Sequence, residues 1–441
     1  MDRKSFIKTS ALAAAAFAMP RHSFGAVGGS DKIKVALVGC GSRGTGAISN
    51  MFDADNNIQI VALGDLFPDA VAKCEKVFKA HVDKRNAVKS SEVWKVKPET
   101  TFFGLDAIDK VLNTDADVVA LATTPVFRTS QIEKCLKAGK HVFAEKPICI
   151  DATQYRKVVR ELIPLADSKG LNVLCGTQMR YQSAIREAVD RVRDGQIGDI
   201  ISGVFLRYEG TYLTKSGWIE LPQNLRPETV EYQLRNWLAF RWTSGDQMVE
   251  QYVHNLDMAL WAFGELPSEA VGSGGRQSDI PHPQMGDRYS NCHVQFDFPS
   301  GKTLTAACRQ EFSTTPYAPF RVYGTKGVLE MSFGKQRISG EKPWESEYQK
   351  KPELVCEHEA LFGAIRKGEH LNTMKACADS CFAGILGRES CYSSKRLKWD
   401  WILAKSMQNY LPQALSLGGE KPTEPVPFPA KYNLEKGAME S

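Results

Sequence analysis

Three groups of residues in this chain have types and spacings suited to chemistry. The first is Gly39-Cys40-Gly41-Ser42-Arg43-Gly44, a G-x-G-x-x-G at the end of the apolar run Ile33–Val38, with a helix-compatible segment after it. Glycines at this spacing let the chain turn sharply and bring backbone N–H groups against a diphosphate at a helix N-terminus. A second apolar run, Ile58 to Leu63, ends in Gly64-Asp65. Asp65 stands about 20 residues past the glycines, where a carboxylate would bond a ribose hydroxyl. Taken alone, Asp65 fits a turn before Pro68 equally well. Thr123-Thr124-Pro125 ends a third apolar run.

The second group is Glu145-Lys146-Pro147, after the short run His141–Ala144. The proline pushes Lys146 toward an extended backbone. A lysine near a sugar hydroxyl can act as general acid or base, or polarise the carbon being oxidised. A surface lysine in a β-to-α loop is the alternative. The third group is Glu250, His254 and Asp257, at i, i+4 and i+7 of a predicted helix, hence on one face. A carboxylate and an imidazole one turn apart suit proton transfer. A satisfied core histidine fits the same position. No H-x-x-x-H or H-x-x-E completes a metal set, so no metal is expected. Arg180-Tyr181, Tyr208, Tyr212, Trp218, Arg235, Trp237 and Trp242 cluster between these groups, and their rings and guanidinium forks would suit a pyranose.

The elements that must hold these residues follow from periodicity. Apolar strands predicted at Ile33–Val38, Ile58–Leu63, Asp117–Ala122 and His141–Ala144 alternate with helical patterns. That alternation argues for a parallel sheet covered on both faces, with the glycine turn, Asp65, Thr123 to Pro125 and Glu145 to Pro147 all at strand C-terminal ends. Residues 84–99 read as a loop or insertion. Past Asp151, longer alternating runs at Gly198–Tyr208, Asn291–Phe298, Lys302–Gln310, Phe320–Tyr323 and Val328–Met331 predict an antiparallel or mixed sheet. Gln336 to Lys351 reads as turn-like, Glu357–Arg366 and Met374–Cys391 as helical, and the Pro- and Gly-rich tail beyond Leu417 as a surface wrap. The expected class is α/β: a dinucleotide domain at 31–150 and a second α/β domain, with a large open and mostly antiparallel sheet, at 151–441.

Composition narrows the function classes. A 43% hydrophobic and 24% charged share is that of a globular enzyme. A net charge of +5, without a dense Lys/Arg block, gives no reason to expect a nucleic-acid partner. No apolar run reaches the roughly 20 residues of a membrane span. Residues 1–30 read as an export signal: Arg3 and Lys4 precede Phe6, then comes the Ala-rich stretch Ala11 to Met19. The pattern is close to a twin-arginine signal with Lys4 in the second arginine's place, and predicts a periplasmic or otherwise exported protein. The eleven cysteines lie mostly in apolar segments and read as small buried hydrophobes rather than a disulfide framework.

Together these pieces resemble the glucose-fructose oxidoreductase/inositol dehydrogenase/MocA family, in an exported bacterial form. The resemblance runs from about Lys32 to Trp399 and rests on Gly39 to Gly44, Asp65, Thr124-Pro125, Glu145-Lys146-Pro147, Arg180, Gly195 to Ile200 and the Glu250 to Asp257 segment. Here Glu250 stands where many members have Asp, Tyr252 replaces a common glycine, and Thr129 takes a common histidine's place. The resemblance implies a Rossmann domain plus an open-sheet domain, usually a homodimer or homotetramer. It implies catalysis by Lys146, His254 and Glu250. NAD would be held by Gly39, Gly41, Ser42, Arg43, Gly44, Asp65, Thr123, Thr124, Pro125, Glu145 and Lys146. A sugar, glycoside or cyclitol would meet Arg180, Tyr181, Tyr208, Trp237 and Asp257. Asp65 favours NAD over NADP, since its charge would oppose a 2′-phosphate by roughly 1 kcal/mol or more. Two alternatives are an NAD-dependent glycosidase of the α-N-acetylgalactosaminidase type, which oxidises, eliminates and reduces again, and a non-catalytic sugar- or nucleotide-binding protein.

Overall fold

The computed structural model describes residues 31–210, 225–277, 286–332 and 334–440. Residues 1–30, expected to be an export signal, and Tyr212 and Trp218 lie outside the described residues. No helix among the described residues is long and apolar enough to cross a membrane.

Strands β1 (Ile33–Val38), β2 (Ile58–Asp65), β3 (Thr101–Phe103), β4 (Val118–Leu121), β5 (His141–Ala144) and β6 (Val173–Cys175) form a six-stranded sheet ordered β3-β2-β1-β4-β5-β6. Every neighbouring pair is parallel. β1 and β4 are apolar and almost wholly buried because helices cover both faces of the sheet. The order reverses between β1 and β4, and that crevice is where a doubly wound sheet binds its ligand. β6 lies past residue 150, so the first sheet reaches further along the chain than the 31–150 segment. The 84–99 stretch, expected as a loop, holds a short helix at Ser90–Val93, and Trp94 bridges Ile60 at the end of it.

The second sheet has nine strands, ordered β14-β13-β12-β11-β7-β10-β9-β8-β15. They are β7 (Ile200–Glu209), β8 (Glu269–Gly275), β9 (Asn291–Asp297), β10 (Thr303–Gln310), β11 (Phe320–Gly324), β12 (Gly327–Met331), β13 (Arg337–Gly340), β14 (Trp344–Glu345) and β15 (Leu397–Lys398). β7 and β10 run parallel, and the other pairs given a register are antiparallel. β13 and β14 fall in the stretch expected to be turns. They are four and two residues long, too short to show an alternation, and β14 is the edge of the sheet. The helices Val253–Phe263 and Met374–Ser393 pack on one face of this sheet. Met374–Ser393 is buried all round, so it sits between the two sheets rather than on the surface. All eleven cysteines are free thiols, ten of them buried.

Candidate functional site

The glycine turn is built by sterics. Gly39 has φ +96°, and a Cβ there would lie 2.5 Å from the Ala122 carbonyl carbon. A Cβ on Gly44 would lie 1.8 Å from the Gly39 oxygen. Gly41 differs: a Cβ there meets nothing within 4 Å, so its open side faces free space. Gly41 is also the N-cap of the Ser42–Ala54 helix, whose first turn holds no acidic residue and no side-chain cap. The two tight glycines shape the turn, and the third leaves room for a ligand against unpaired N–H groups, which suits a diphosphate.

A cavity of about 730 Å³ opens from this turn. Gly39, Gly41, Ser42, Arg43, Asp65, Thr123 and Thr124 line it, as expected of cofactor contacts. Asp65 is buried, and its two oxygens accept from the N–H groups of Cys40 and Phe67. Burial pushes its pKa up while those backbone donors pull it down. Trp237 and Gln251 line the same cavity. Gly44, Pro125, Glu145 and Lys146, also expected against the cofactor, are not on its wall: Pro125 is the first residue of the Pro125–Lys137 helix, and Glu145 ion-pairs with Arg43 at 2.9 Å. Glu145 also accepts from the Lys146 N–H, so it joins the glycine turn to the end of β5.

Lys146, Glu250 and His254 come together. Lys146 Nζ donates to Glu250 Oε1 at 2.8 Å and to the Glu250 carbonyl at 2.6 Å. The other carboxylate oxygen, Glu250 Oε2, is buried without a hydrogen-bond partner. His254 is buried, and its pKa is held well below the usual value by burial first, then by the charges of Lys146 and Arg207. The imidazole is therefore neutral near pH 7. Among the described residues no group of three or more His, Cys, Asp and Glu side chains is placed to hold a metal ion.

The single helix expected over 250–257 is broken. A short turn, Gln247–Glu250, is followed by Gln251 and Tyr252 before the helix Val253–Phe263 begins. The Tyr252 N–H bonds back five residues to Gln247, and the Tyr252 hydroxyl donates to the Phe205 carbonyl on β7. The break changes the register, so Glu250 and Asp257 serve different places. Asp257 is buried and takes three hydrogen bonds from Arg180 and one from Ser380. A buried carboxylate needs such a counter-charge, and this pair accounts for Arg180 and Asp257, two of the five residues expected against a sugar. Tyr181 faces a surface groove with Ser183, Arg186 and Glu187. The Tyr208 ring lies under the Arg309 guanidinium at 4.7 Å. Neither tyrosine lines the cavity.

Two contributors carry no sequence signal. Arg128 is buried, and it bonds the carbonyls of Thr123, Lys146 and Pro147, holding two strand ends in place from the Pro125–Lys137 helix. Asp246 opens the Gln247–Glu250 turn with φ +73° and ψ 163°. Only its unusual backbone marks it.

Comparison with known proteins agrees with this layout. The family described as "Oxidoreductase family, NAD-binding Rossmann fold" matches residues 33–176, and its companion "C-terminal alpha/beta domain" matches 191–367. The chain is 24% identical over 250 residues to a 2,7-anhydro-N-acetylneuraminate hydratase of Escherichia coli (strain K12), covering 55% of this chain and 60% of that one. It is 24% identical to an inositol 2-dehydrogenase of Rhizobium meliloti (strain 1021), covering 67% and 74%. The first of these alignments thus spans less than two thirds of its relative. The fold is shared with an aldose-aldose oxidoreductase from Caulobacter crescentus at TM-score 0.63 and 20% identity, over 83% of this chain and 99% of that one. With both halves matched and the glycine turn and Lys146 at the expected strand ends, the chain belongs to the Gfo/Idh/MocA oxidoreductase family.

Proposed function

We propose that this protein is an NAD-dependent oxidoreductase acting on a hydroxyl carbon of a sugar, glycoside or cyclitol, with Lys146, Glu250 and His254 handling the proton. The observation that carries the proposal is the buried Lys146–Glu250 pair, with the neutral His254 imidazole within reach of the Lys146 charge and Glu250 next in the chain to Gln251 on the cavity wall. A nicotinamide, when bound, supplies the hydride acceptor for the carbinol carbon. The residues do the rest. Glu250 takes two of the three Lys146 donors through its Oε1 and its carbonyl, which aims the third at a substrate hydroxyl. The neutral His254 ring is able to accept the hydroxyl proton. The alternative substrate contacts left by the structure are Trp237 and Gln251.

NAD is favoured over NADP on two grounds. Asp65 lines the cavity at the end of β2. Of the basic residues on the cavity wall, Arg235 is already paired with Asp69 and Glu231, and Arg43 with Glu145. Titration with each reduced nucleotide tests the choice, and tighter NADPH binding refutes it. The oxidoreductase reading is tested by following NADH formation across a panel of cyclitols, free sugars and glycosides.

A second reading, cleavage or hydration with the nucleotide restored in each cycle, is favoured by the hydratase among the relatives. Sustained release of aglycone from nitrophenyl glycosides without added NAD would select it, and NADH accumulation would select simple oxidation. We also propose export directed by residues 1–30 and assembly of a homodimer or homotetramer through the exposed face of the nine-stranded sheet. Cell fractionation and light scattering test these.

A further inference from the structure

The dinucleotide cavity has a wall that comes from neither strand ends nor glycine turn. Leu234, Arg235, Trp237 and Leu238 line it together with Asp65 and Phe67. The Arg235 guanidinium lies 3.9 Å from the Phe67 ring centre, and it ion-pairs with Asp69 at 3.2 Å and Glu231 at 2.9 Å. Leu234 and Arg235 ride on a six-residue helix, Val230–Arg235, and Trp237 and Leu238 on the single turn Trp237–Ala239 after it. A helix that short has almost no stability of its own. Something else must hold it.

The C-terminal tail does so. Val230 N donates to the Gly419 carbonyl at 3.0 Å, and Lys421 N donates to the Glu228 carbonyl at 2.6 Å. Gln233, fully buried, donates through Nε2 to the Lys421 carbonyl at 2.6 Å and accepts from Trp242 Nε1 at 2.6 Å. The Lys421 ammonium sits 5.3 Å over the Trp242 ring. Further along, Arg241 bonds the Pro425 carbonyl at 3.1 Å and the Tyr289 hydroxyl bonds that of Pro427 at 2.9 Å. The tail is anchored again beyond this, where the Tyr432 hydroxyl meets Glu389 in the core at 2.8 Å.

We propose that residues 419–427 are a strap that fixes the 228–238 segment as the outer wall of the dinucleotide site, so that the nucleotide is a slowly exchanging resident rather than a freely released co-substrate. The proposal rests on the dinucleotide reading of the cavity. Moving the wall requires breaking the Arg235–Asp69 pair and several tail hydrogen bonds in one step, which makes release slow.

The test uses NADH as probe on the full chain, following its fluorescence while an excess of ADP-ribose chases it out. Gln233→Ala cuts the strap's buried bond and is expected to speed release at least tenfold, with a melting curve confirming that the variant is folded. Thr229 and Glu420 face each other as an antiparallel bridge. The double substitution Thr229→Cys/Glu420→Cys places a cross-link between strap and wall at a spacing a disulfide can span. Its oxidised form is expected to release NADH more slowly than the same protein reduced, and this comparison holds whatever the substitutions do to folding. Equal release rates for wild type, Gln233→Ala and both redox forms overturn the strap and leave the dinucleotide reading standing. If none of the proteins binds NADH, the dinucleotide reading fails and the strap with it.

Discussion

Lys146 and Glu250 belong to different sheets' territories yet meet at 2.8 Å, one at the end of β5 and the other on the turn before the Val253–Phe263 helix. Both side chains are nearly buried, at 10% and 6% exposure. Removing one partner leaves a buried charge alone, which is strongly unfavourable. Lys146→Met and Glu250→Gln are each expected to lower kcat by about 10²–10⁴-fold, the usual worth of a positioned acid or base. NADH binding should survive in both. Because the pair acts as a unit, the double variant should lose little more than either single one. Additive losses in kcat would show that the two act independently.

His254 gives a pH signature. Its folded pKa lies below the ordinary 6.5 of a free imidazole because of burial and the nearby Lys146 and Arg207 charges. The neutral form is the competent one, so activity should hold as pH falls through 6.5 and decline only further down. His254→Asn should lose about 10²-fold or more and lose that acid limb. A wild-type limb centred near 6.5 would contradict the burial argument.

The glycines separate fold from binding. Gly44→Ala forces a Cβ onto the Gly39 carbonyl and should destabilise the first domain by about 3 kcal/mol. Gly41→Val meets open space in the protein and should leave the melting temperature nearly unchanged. Its side chain would occupy the diphosphate position, so NADH affinity should fall by at least tenfold. Calorimetry and NADH titration on the two variants give opposite patterns.

Asp246 holds Glu250 in place. Its φ of +73° with ψ 163° is a region that costs a non-glycine residue about 1–3 kcal/mol. The carboxylate offsets this by accepting from Gln247 N, Tyr289 N and the Tyr392 hydroxyl. Asp246→Ala keeps the strain and loses the anchors, and Asp246→Gly loses the anchors alone. The alanine variant should melt lower than the glycine variant, and both should show kcat reduced by about tenfold as Glu250 drifts from Lys146.

His358 is a stability site. It is fully buried, packs 4.4 Å from the Phe143 ring, and has no hydrogen-bond partner on either ring nitrogen. Burial, and then the Arg43 charge, hold its folded pKa well below 6.5. The unfolded chain therefore takes up a proton that the folded chain refuses, and stability present above pH 6.5 is lost as pH falls below it. His358→Leu should raise stability at pH 7 by about 1 kcal/mol and flatten the fall in melting temperature between pH 6.5 and 5.

The sequence made some of this legible. β1 and β5 are largely apolar up to their C-terminal ends, so those ends, and the residues just past them, could be placed from the pattern alone. Of the residues at those ends, Gly39, Gly41, Ser42, Arg43 and Asp65 line the cavity, and Lys146 meets Glu250. Glu250 and His254 were paired for a reason that does not hold: they flank a break rather than share a helical face. Tyr181 and Tyr208 looked like sugar contacts because their type suits stacking, but type does not tell which side of a strand end a ring leaves by. Arg128 gave no sign because its partners are main-chain carbonyls, which every residue has.

The strap and the wall it fastens are joined by bonds such as that from Gln233 to Lys421, 188 positions apart in the chain. A ribosome makes the glycine turn first, the wall helix next and its fastening much later. Until residues 419–427 have emerged and docked, the nucleotide's entrance stands open, so loading belongs to the late stage of biogenesis, ahead of the final closure.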